Sequence, residues 1–169
     1  MLRAFALLAV CAAMLLGATA RAADLPAPTG TPILTISGRI ETTNDGDRAV
    51  FDMDMLRSLP SVTFETTTSW TKGVQSFTGV SLKVLLETVG AQGDSISATA
   101  INDYAVDIPR EDWVEGGPIL AYLNNGETMS VREHGPLWVV YPYDLNPAYQ
   151  SEVTFSRSIW QLDRIIVTR

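Results

Sequence analysis

The sequence predicts an α+β domain that is mostly β, with a few short helices. Short runs rich in β-branched and aromatic residues recur along the chain and are separated by Gly, Pro, Asn and Asp, which is typical of strands joined by turns. Apolar residues at helical spacing occur only in brief stretches. Because strands and helices do not alternate regularly, a parallel, doubly wound sheet is not expected.

The predicted domain begins with a β-hairpin. Residues 33–40 alternate apolar and polar side chains like a strand, and Asp45-Gly46 is a hairpin-type turn that leads to a partner strand at 49–53. Apolar residues then recur at helical spacing from 53 until Pro60, which stops the pattern. Residues 62–67 are rich in β-branched side chains and are predicted to form the next strand.

One core-facing helix is predicted in the middle of the chain. Four apolar residues between 82 and 89 share one helical face. Ser81 is placed to cap the start of this helix, and Gly90 is placed to end it.

The second half of the chain is predicted to consist almost entirely of strands. Its strongest hairpin signal is Asn124-Asn125-Gly126, which lies between strand-like segments at 119–123 and 127–130. The other predicted elements are strands at 95–101, 104–108, 137–141 and 159–168 and one helical turn at 109–113.

Residues 1–22 have the pattern of a secretory signal peptide. Arg3 precedes a short apolar run, and small residues at the −3 and −1 positions suit cleavage after Ala22. We therefore expect a signal peptide at 1–22, a flexible leader rich in Pro and Gly at 23–31, and a single domain at 32–169.

The composition of the exported chain narrows the function classes. Cleavage removes Arg3 and Arg21, which leaves 10 of the 12 basic side chains against 19 acidic ones and a formal net charge of −9. Nucleic acid is not an expected partner for that charge. Cleavage also removes Cys11, the single cysteine, so the exported chain can form no disulfide. An exported, acidic domain of this kind indicates the periplasm.

Ordered motifs along the chain carry a family resemblance. They are Thr66 to Trp70, Phe77-Thr78-Gly79-Val80-Ser81-Leu82, Asp103-Tyr104, Leu120-Ala121-Tyr122-Leu123-Asn124-Asn125-Gly126-Glu127, Gly135-Pro136-Leu137 and Ile159-Trp160-Gln161-Leu162-Asp163-Arg164-Ile165. In this order and spacing they resemble the molybdopterin-binding domain of the sulfite-oxidase-fold oxidoreductases over about residues 32–168. The resemblance implies that fold and a pterin ligand.

Two departures from the family pattern concern the metal and the phosphate of the cofactor. The resemblance places a molybdenum-binding cysteine where this chain has Thr66 or Thr67, and a threonine hydroxyl is no substitute for a thiolate. It also places a phosphate-holding arginine after Gly135-Pro136-Leu137, where this chain has Trp138. Molybdenum is therefore not expected, and no metal site is predicted.

The chain is most similar to the cysteine-less periplasmic pterin-binding regulators of this fold. That resemblance implies a small-molecule pterin, reduced or oxidised, as the ligand. It also implies a protein partner, namely the periplasmic domain of an inner-membrane signalling protein that acts on cyclic-di-GMP.

A pterin is a flat aromatic bicycle with a guanidine-like edge, so its site should offer an aromatic face and a carboxylate or carbonyl groups. Trp70 follows a run of hydroxyl residues at a predicted strand end, where binding residues often lie. We predict that Trp70, Thr67 and Ser69 bind the ligand. The alternative is that the Trp70 indole caps the core, which is the role expected for Trp138.

Four further residues are predicted to bind the ligand. Asp103 and Tyr104 lie between two strands, where a carboxylate and a phenol could meet the pterin edge, or where Asp103 could form an Asx-turn. His134, the single histidine, borders the predicted pocket and cannot build a metal site alone. Arg157 could reach a ligand hydroxyl or phosphate, or form a surface ion pair.

Three functions remain open from the sequence. The first is a pterin-binding signalling module without catalytic activity. The second is a divergent molybdopterin-dependent oxidoreductase subunit that binds its metal without a protein thiol. The third is a structural or interaction domain that binds no ligand and uses the fold only as a scaffold. Its thermal stability would not respond to pterins.

Overall fold

The structure, a computed structural model, describes residues 25–169; the predicted signal peptide and Cys11 lie outside the described residues. These residues form strands and short helices, and the predicted α+β, mostly β class is confirmed. The strands are β1 Leu34–Gly38, β2 Ala49–Phe51, β3 Ser61–Thr66, β4 Gln75–Ser81, β5 Ser95–Ala100, β6 Ala105–Pro109, β7 Ile119–Asn124, β8 Glu127–Thr128, β9 Trp138–Val140 and β10 Leu162–Thr168. The α-helices are α1 Met53–Ser58, α2 Leu82–Thr88 and α3 Glu152–Arg157, and short helical turns lie at Arg110–Asp112, Val131–Glu133 and Pro147–Tyr149.

The strands form two sheets. The first sheet has the order β2-β1-β10-β5-β6, and β1 and β10 are its parallel pair. The second sheet has the order β3-β4-β7-β8, and β9 also pairs with β7. Apolar side chains of both sheets and of α1 and α2 join in one buried core. No helix among residues 25–169 is long and apolar enough to span a membrane.

Backbone hydrogen bonds connect the two sheets at the segment that precedes β10. The N–H of Val139 donates to the carbonyl of Ile159 at 2.8 Å, and the N–H of Leu162 donates to the carbonyl of Leu137 at 3.1 Å. Between these bonds, Trp138 and Trp160 form an isolated β-bridge. This connection brings two tryptophans that are far apart in sequence to one place.

Tight backbone conformations explain several predicted turns. Asn125 and Gly126 have φ values of 52° and 82°, as a two-residue hairpin turn between β7 and β8 requires. Gly90, with φ of 61°, follows the last turn of α2 as predicted. Ser81 occupies the N-cap of α2, but its side chain makes no capping hydrogen bond, so that part of the prediction is wrong.

The described part of the predicted flexible leader is attached to the domain. The Asp52 carboxylate accepts hydrogen bonds from the N–H groups of Thr29 and Gly30 at 2.8 and 2.7 Å, and it also caps α1 through the N–H of Met55. These backbone donors, with that of Gly30 first, lower the pKa of Asp52. A single buried carboxylate therefore holds both the leader and the start of α1.

Two elements go beyond the sequence prediction. β4 was not predicted as a strand, yet it pairs with both β3 and β7 and lies inside the second sheet. α3 was not predicted either, and its N-cap is Ser151, whose hydroxyl accepts the N–H of Thr154 at 3.2 Å. α3 forms part of the cavity described next.

Candidate functional site

An aromatic cluster surrounds Trp70 in the loop after β3. The Trp70 ring meets Trp160 at a centroid distance of 5.4 Å, Trp138 at 6.0 Å and Phe155 at 6.1 Å, each in an edge-to-face arrangement. Trp138 is fully buried, whereas Trp70, Phe155 and Trp160 are partly exposed. The cluster is therefore core on one side and accessible surface on the other.

The accessible side of this cluster borders a cavity of about 450 Å³. The cavity lies between the Trp70 loop, the β5–β6 connection, α3 and the segment before β10. Its lining residues are Trp70, Ala100, Asn102, Tyr104, Glu152, Phe155, Ser156, Ser158, Ile159 and Trp160. This size and the four aromatic side chains of the lining suit a small planar ligand.

Among residues 25–169, Glu152 is the single charged residue that lines this cavity. Two arginines near the cavity, Arg157 and Arg164, form ion pairs with aspartates that do not line it. Arg157 pairs with Asp112 at 2.9 Å, and Arg164 pairs with Asp103 at 2.6 Å. The cavity therefore offers a carboxylate and aromatic faces but no guanidinium among its lining residues.

A buried hydrogen-bond network anchors α3 behind the cavity. One Asp112 oxygen accepts both the Arg157 guanidinium and the Tyr141 hydroxyl, the latter at 2.7 Å. Burial, followed by the charge of Asp112, raises the pKa of Tyr141. Beside it, the Tyr143 hydroxyl is hydrogen-bonded to Ser158, and burial raises the pKa of Tyr143 to about 12. Both phenols therefore stay protonated and serve the packing of α3.

The hydroxyl residues before Trp70 face away from the cavity lining. Thr67 donates its N–H and its hydroxyl to the Asp144 carboxylate at 2.6 and 2.8 Å. Ser69 is exposed and does not line the cavity. Among the predicted trio, the structure therefore places Trp70 alone at the cavity.

The β5–β6 connection contributes Tyr104 but not Asp103 to the lining. Tyr104 is 55 % exposed at the rim of the cavity. Asp103 has φ of 65° and directs its carboxylate to Arg164. The Asx-type bond in this turn is made by Asn102, whose side-chain oxygen accepts the N–H of Tyr104 at 3.2 Å.

His134 lies on the other side of the aromatic cluster. Its ring stacks on Trp138 at 4.6 Å and meets the edge of Trp160 at 4.9 Å. It lines a second cavity of about 480 Å³, together with Arg132 and Asn124. His134 is therefore separated from the first cavity by the tryptophans that it contacts.

Sequence reasoning missed the α3 wall of the cavity. Phe155 and Glu152 belong to a helix of six residues, which is too short for a clear apolar period. The one available signal was Ser151, a good N-cap residue followed by a glutamate. Arg157, which was predicted from this segment, is turned toward Asp112 instead of the cavity.

The residues at the expected metal position do not fit a molybdenum ligand. Thr66 is fully buried, and its hydroxyl accepts the N–H of Asp144 at 3.1 Å. The Thr67 hydroxyl is likewise bonded to Asp144. Neither group is a thiolate, residues 25–169 contain no cysteine, and no three His, Cys, Asp or Glu side chains in this range are grouped to hold a metal ion.

The position expected to hold the cofactor's phosphate does not fit that group either. Trp138 is buried, and its Nε1 donates to the carbonyl of Ser158 at 3.2 Å. Its ring fills the space between Phe77, at 5.3 Å, and His134. An indole held in this way cannot make the bidentate contact of a guanidinium with a phosphate.

Comparison with known proteins identifies the family of the domain. No curated protein matches the chain. The family model described as the oxidoreductase molybdopterin binding domain matches residues 32–146. This match ends before α3, so the α3 wall of the cavity lies outside it. The chain therefore belongs to the oxidoreductase molybdopterin binding domain family, whose members bind a pterin-type cofactor.

Proposed function

We propose that this protein is a non-catalytic, periplasmic pterin-binding protein that relays pterin binding to a membrane-bound cyclic-di-GMP sensor enzyme. The observation that carries the proposal is the cavity walled by Trp70, Phe155 and Trp160, with Glu152 as its carboxylate. These are the two kinds of group that a flat bicycle with a hydrogen-bond-donating edge needs. Membership of a family that binds a pterin-type cofactor supports the same ligand class.

We propose that the protein has no redox activity because the residues at the expected metal position do not include a thiolate. Redox chemistry in this family, as the sequence resemblance implies, depends on a molybdenum-bound thiolate. Threonine hydroxyls that are already bonded to Asp144 do not supply one. We therefore assign the ligand a signalling role and derive no redox step.

The relay to a partner is supported by exposed side chains next to the cavity. Tyr104, at its rim, and Val153, on α3, are 55 % and 57 % exposed. A ligand in the cavity, in contact with Tyr104 and Phe155, would restrict the β5–β6 connection and α3. It would thereby alter a surface that a partner protein can contact. The predicted signal peptide at 1–22 supports a periplasmic location for this encounter.

The proposal is tested on protein purified from its own periplasm. The protein is denatured, the released small molecules are analysed by fluorescence and mass, and bound molybdenum is measured by elemental analysis. We expect a stoichiometric pterin and no molybdenum. Molybdenum together with a phosphate-bearing pterin would instead support the alternative, a divergent molybdopterin-dependent oxidoreductase subunit of the same family.

A thermal-shift series separates ligand binding from an empty scaffold. A pterin that binds only the folded state must raise the melting temperature, by an amount that grows with its concentration. An unchanged melting temperature across reduced and oxidised pterins would refute ligand binding. The same series identifies the oxidation state that binds more tightly.

A further inference from the structure

We infer that the cavity selects an unphosphorylated pterin and that Glu152 accepts the two N–H donors of its aminopyrimidinone edge. The inference rests on the proposed function, and it adds the ligand class and the residue that recognises it. Glu152 lies in the first turn of α3 and lines the cavity, and no described basic residue lines the cavity with it. Nothing in the family match covers this residue, because the match ends at residue 146.

Glu152 is the carboxylate that the fold leaves available at this site. Asp103 and Asp112 belong to the neighbouring elements, and each is engaged by an arginine. Glu152 is exposed, and its side chain makes no hydrogen bond or ion pair with another described residue. Its side chain therefore serves no contact of the fold that a ligand would have to displace.

The chemistry of a pterin matches this carboxylate. The exocyclic amino group and the adjacent ring N–H of a pterin are parallel donors, which a carboxylate accepts in a bidentate pair like that with a guanidinium. Trp70, Phe155 and Trp160 then supply the aromatic contacts to the bicycle. A lumazine carries a carbonyl in place of the amino group, so one donor is lost and an oxygen faces the carboxylate.

The same arrangement disfavours a phosphorylated ligand such as molybdopterin. A phosphate carries close to two negative charges and would share the cavity with the Glu152 carboxylate. The charges of Arg157 and Arg164 are already paired with aspartates, and the buried indole of Trp138 offers no replacement. Electrostatics therefore favour a neutral pterin over its phosphate ester.

The test compares three ligands by titration against the exported chain: hydroxymethylpterin, the corresponding lumazine, and the phosphate ester of hydroxymethylpterin. The wild-type protein should bind the free pterin at least about tenfold more tightly than either analogue. Glu152→Gln should weaken pterin binding by about tenfold or more and should remove most of the preference over lumazine, because the glutamine amide can donate to the lumazine carbonyl.

Glu65→Gln is the matched control, because Glu65 is an exposed glutamate on β3 that does not line the cavity. It should bind all three ligands as the wild type does. If Glu152→Gln keeps the wild-type affinity and preference for pterin, the role of Glu152 is refuted while the proposed function stands. Equal wild-type affinity for the phosphate ester would refute the selection against phosphate. If the wild type binds none of the three, the proposed function itself fails.

Discussion

Arg157 offers a sharp test of how the candidate site is built, because the sequence predicts a ligand contact and the structure shows an anchor. Its guanidinium pairs with Asp112 at 2.9 Å, and the same Asp112 oxygen accepts the Tyr141 hydroxyl at 2.7 Å. The Arg157 and Asp112 side chains are 24 % and 12 % exposed. Arg157→Met keeps an unbranched side chain of similar length and removes the charge, so Asp112 keeps a single partner in a mostly buried position.

The cost of this change follows from the burial of the pair. Losing one partner of a fully buried pair costs about 3 to 5 kcal/mol, whereas exposed pairs contribute about 1 kcal/mol or less. An intermediate burial therefore predicts a loss of about 2 kcal/mol, or a fall in melting temperature of about 4 to 8 °C for a domain of this size. Because Tyr141 shares the same oxygen, Tyr141→Phe should couple with Arg157→Met by at least about 0.5 kcal/mol in a double-mutant cycle.

The assay combines urea unfolding with pterin titration at a temperature well below the melting point. Arg157→Met should lose stability and keep the wild-type pterin affinity. The matched control is Arg48→Met, which removes the exposed pair with Asp45 and should change stability by less than about 1 kcal/mol. Weaker pterin binding at unchanged stability in Arg157→Met would show that the guanidinium reaches the ligand, and the anchor interpretation would be wrong.

Three further substitutions probe the cavity, the leader and the second sheet. Trp70→Ala removes three edge-to-face contacts of about 0.5 to 1.5 kcal/mol each, so it should lower stability and weaken pterin binding about tenfold or more. Trp70→Phe should recover part of the stability and part of the affinity. An unchanged pterin affinity in Trp70→Ala would show that Trp70 only packs. Because the pKa of Asp52 is lowered in the folded state, its contribution to stability is present above the ordinary carboxyl pKa and is lost as the pH falls through the folded value. Asp52→Asn should therefore destabilise the protein at pH 7 and do so much less in strong acid. Urea unfolding at both pH values measures this difference. At Gly79→Ala, the new Cβ would lie 2.1 Å from a backbone carbonyl oxygen of the neighbouring strand β7, so we expect loss of soluble folded protein in expression trials, and normal yield and melting temperature would contradict the close approach.

Elements with a local signal were predictable from the sequence. The β7–β8 hairpin depends on Asn125 and Gly126, whose positive φ values belong to the residues themselves. β4 was missed because its place is fixed by pairing on both sides, with β3 and with β7, and not by its own composition. α3 was missed because six residues give too little periodicity, and its stability depends on the distant Asp112.

The residues of the candidate site likewise fall into those predictable from local sequence and those placed by distant partners. Trp70 and Tyr104 were predicted from strand ends and loops, and both line the cavity. Asp103 and Arg157 have the right chemistry for a ligand, but their partners come from distant parts of the chain and could not be identified from spacing. Glu152 lines the cavity as part of α3, and α3 is held by the pair of Arg157 with the distant Asp112, which is a tertiary effect.

The two departures from the family pattern are built into the packing of this chain. A thiol at Thr66 would lose the hydrogen bond that holds the N–H of Asp144, and Asp144 in turn holds the loop at Thr67. A guanidinium at Trp138 would replace an indole that lies between Phe77 and His134, and burying a charge there without a partner would cost several kcal/mol. Single substitutions toward the family residues would therefore disturb the wall that carries Trp70 before they rebuilt a metal site. This packing therefore favours the proposed ligand, which needs aromatic contacts and one carboxylate, over a cofactor that needs a thiolate and a guanidinium.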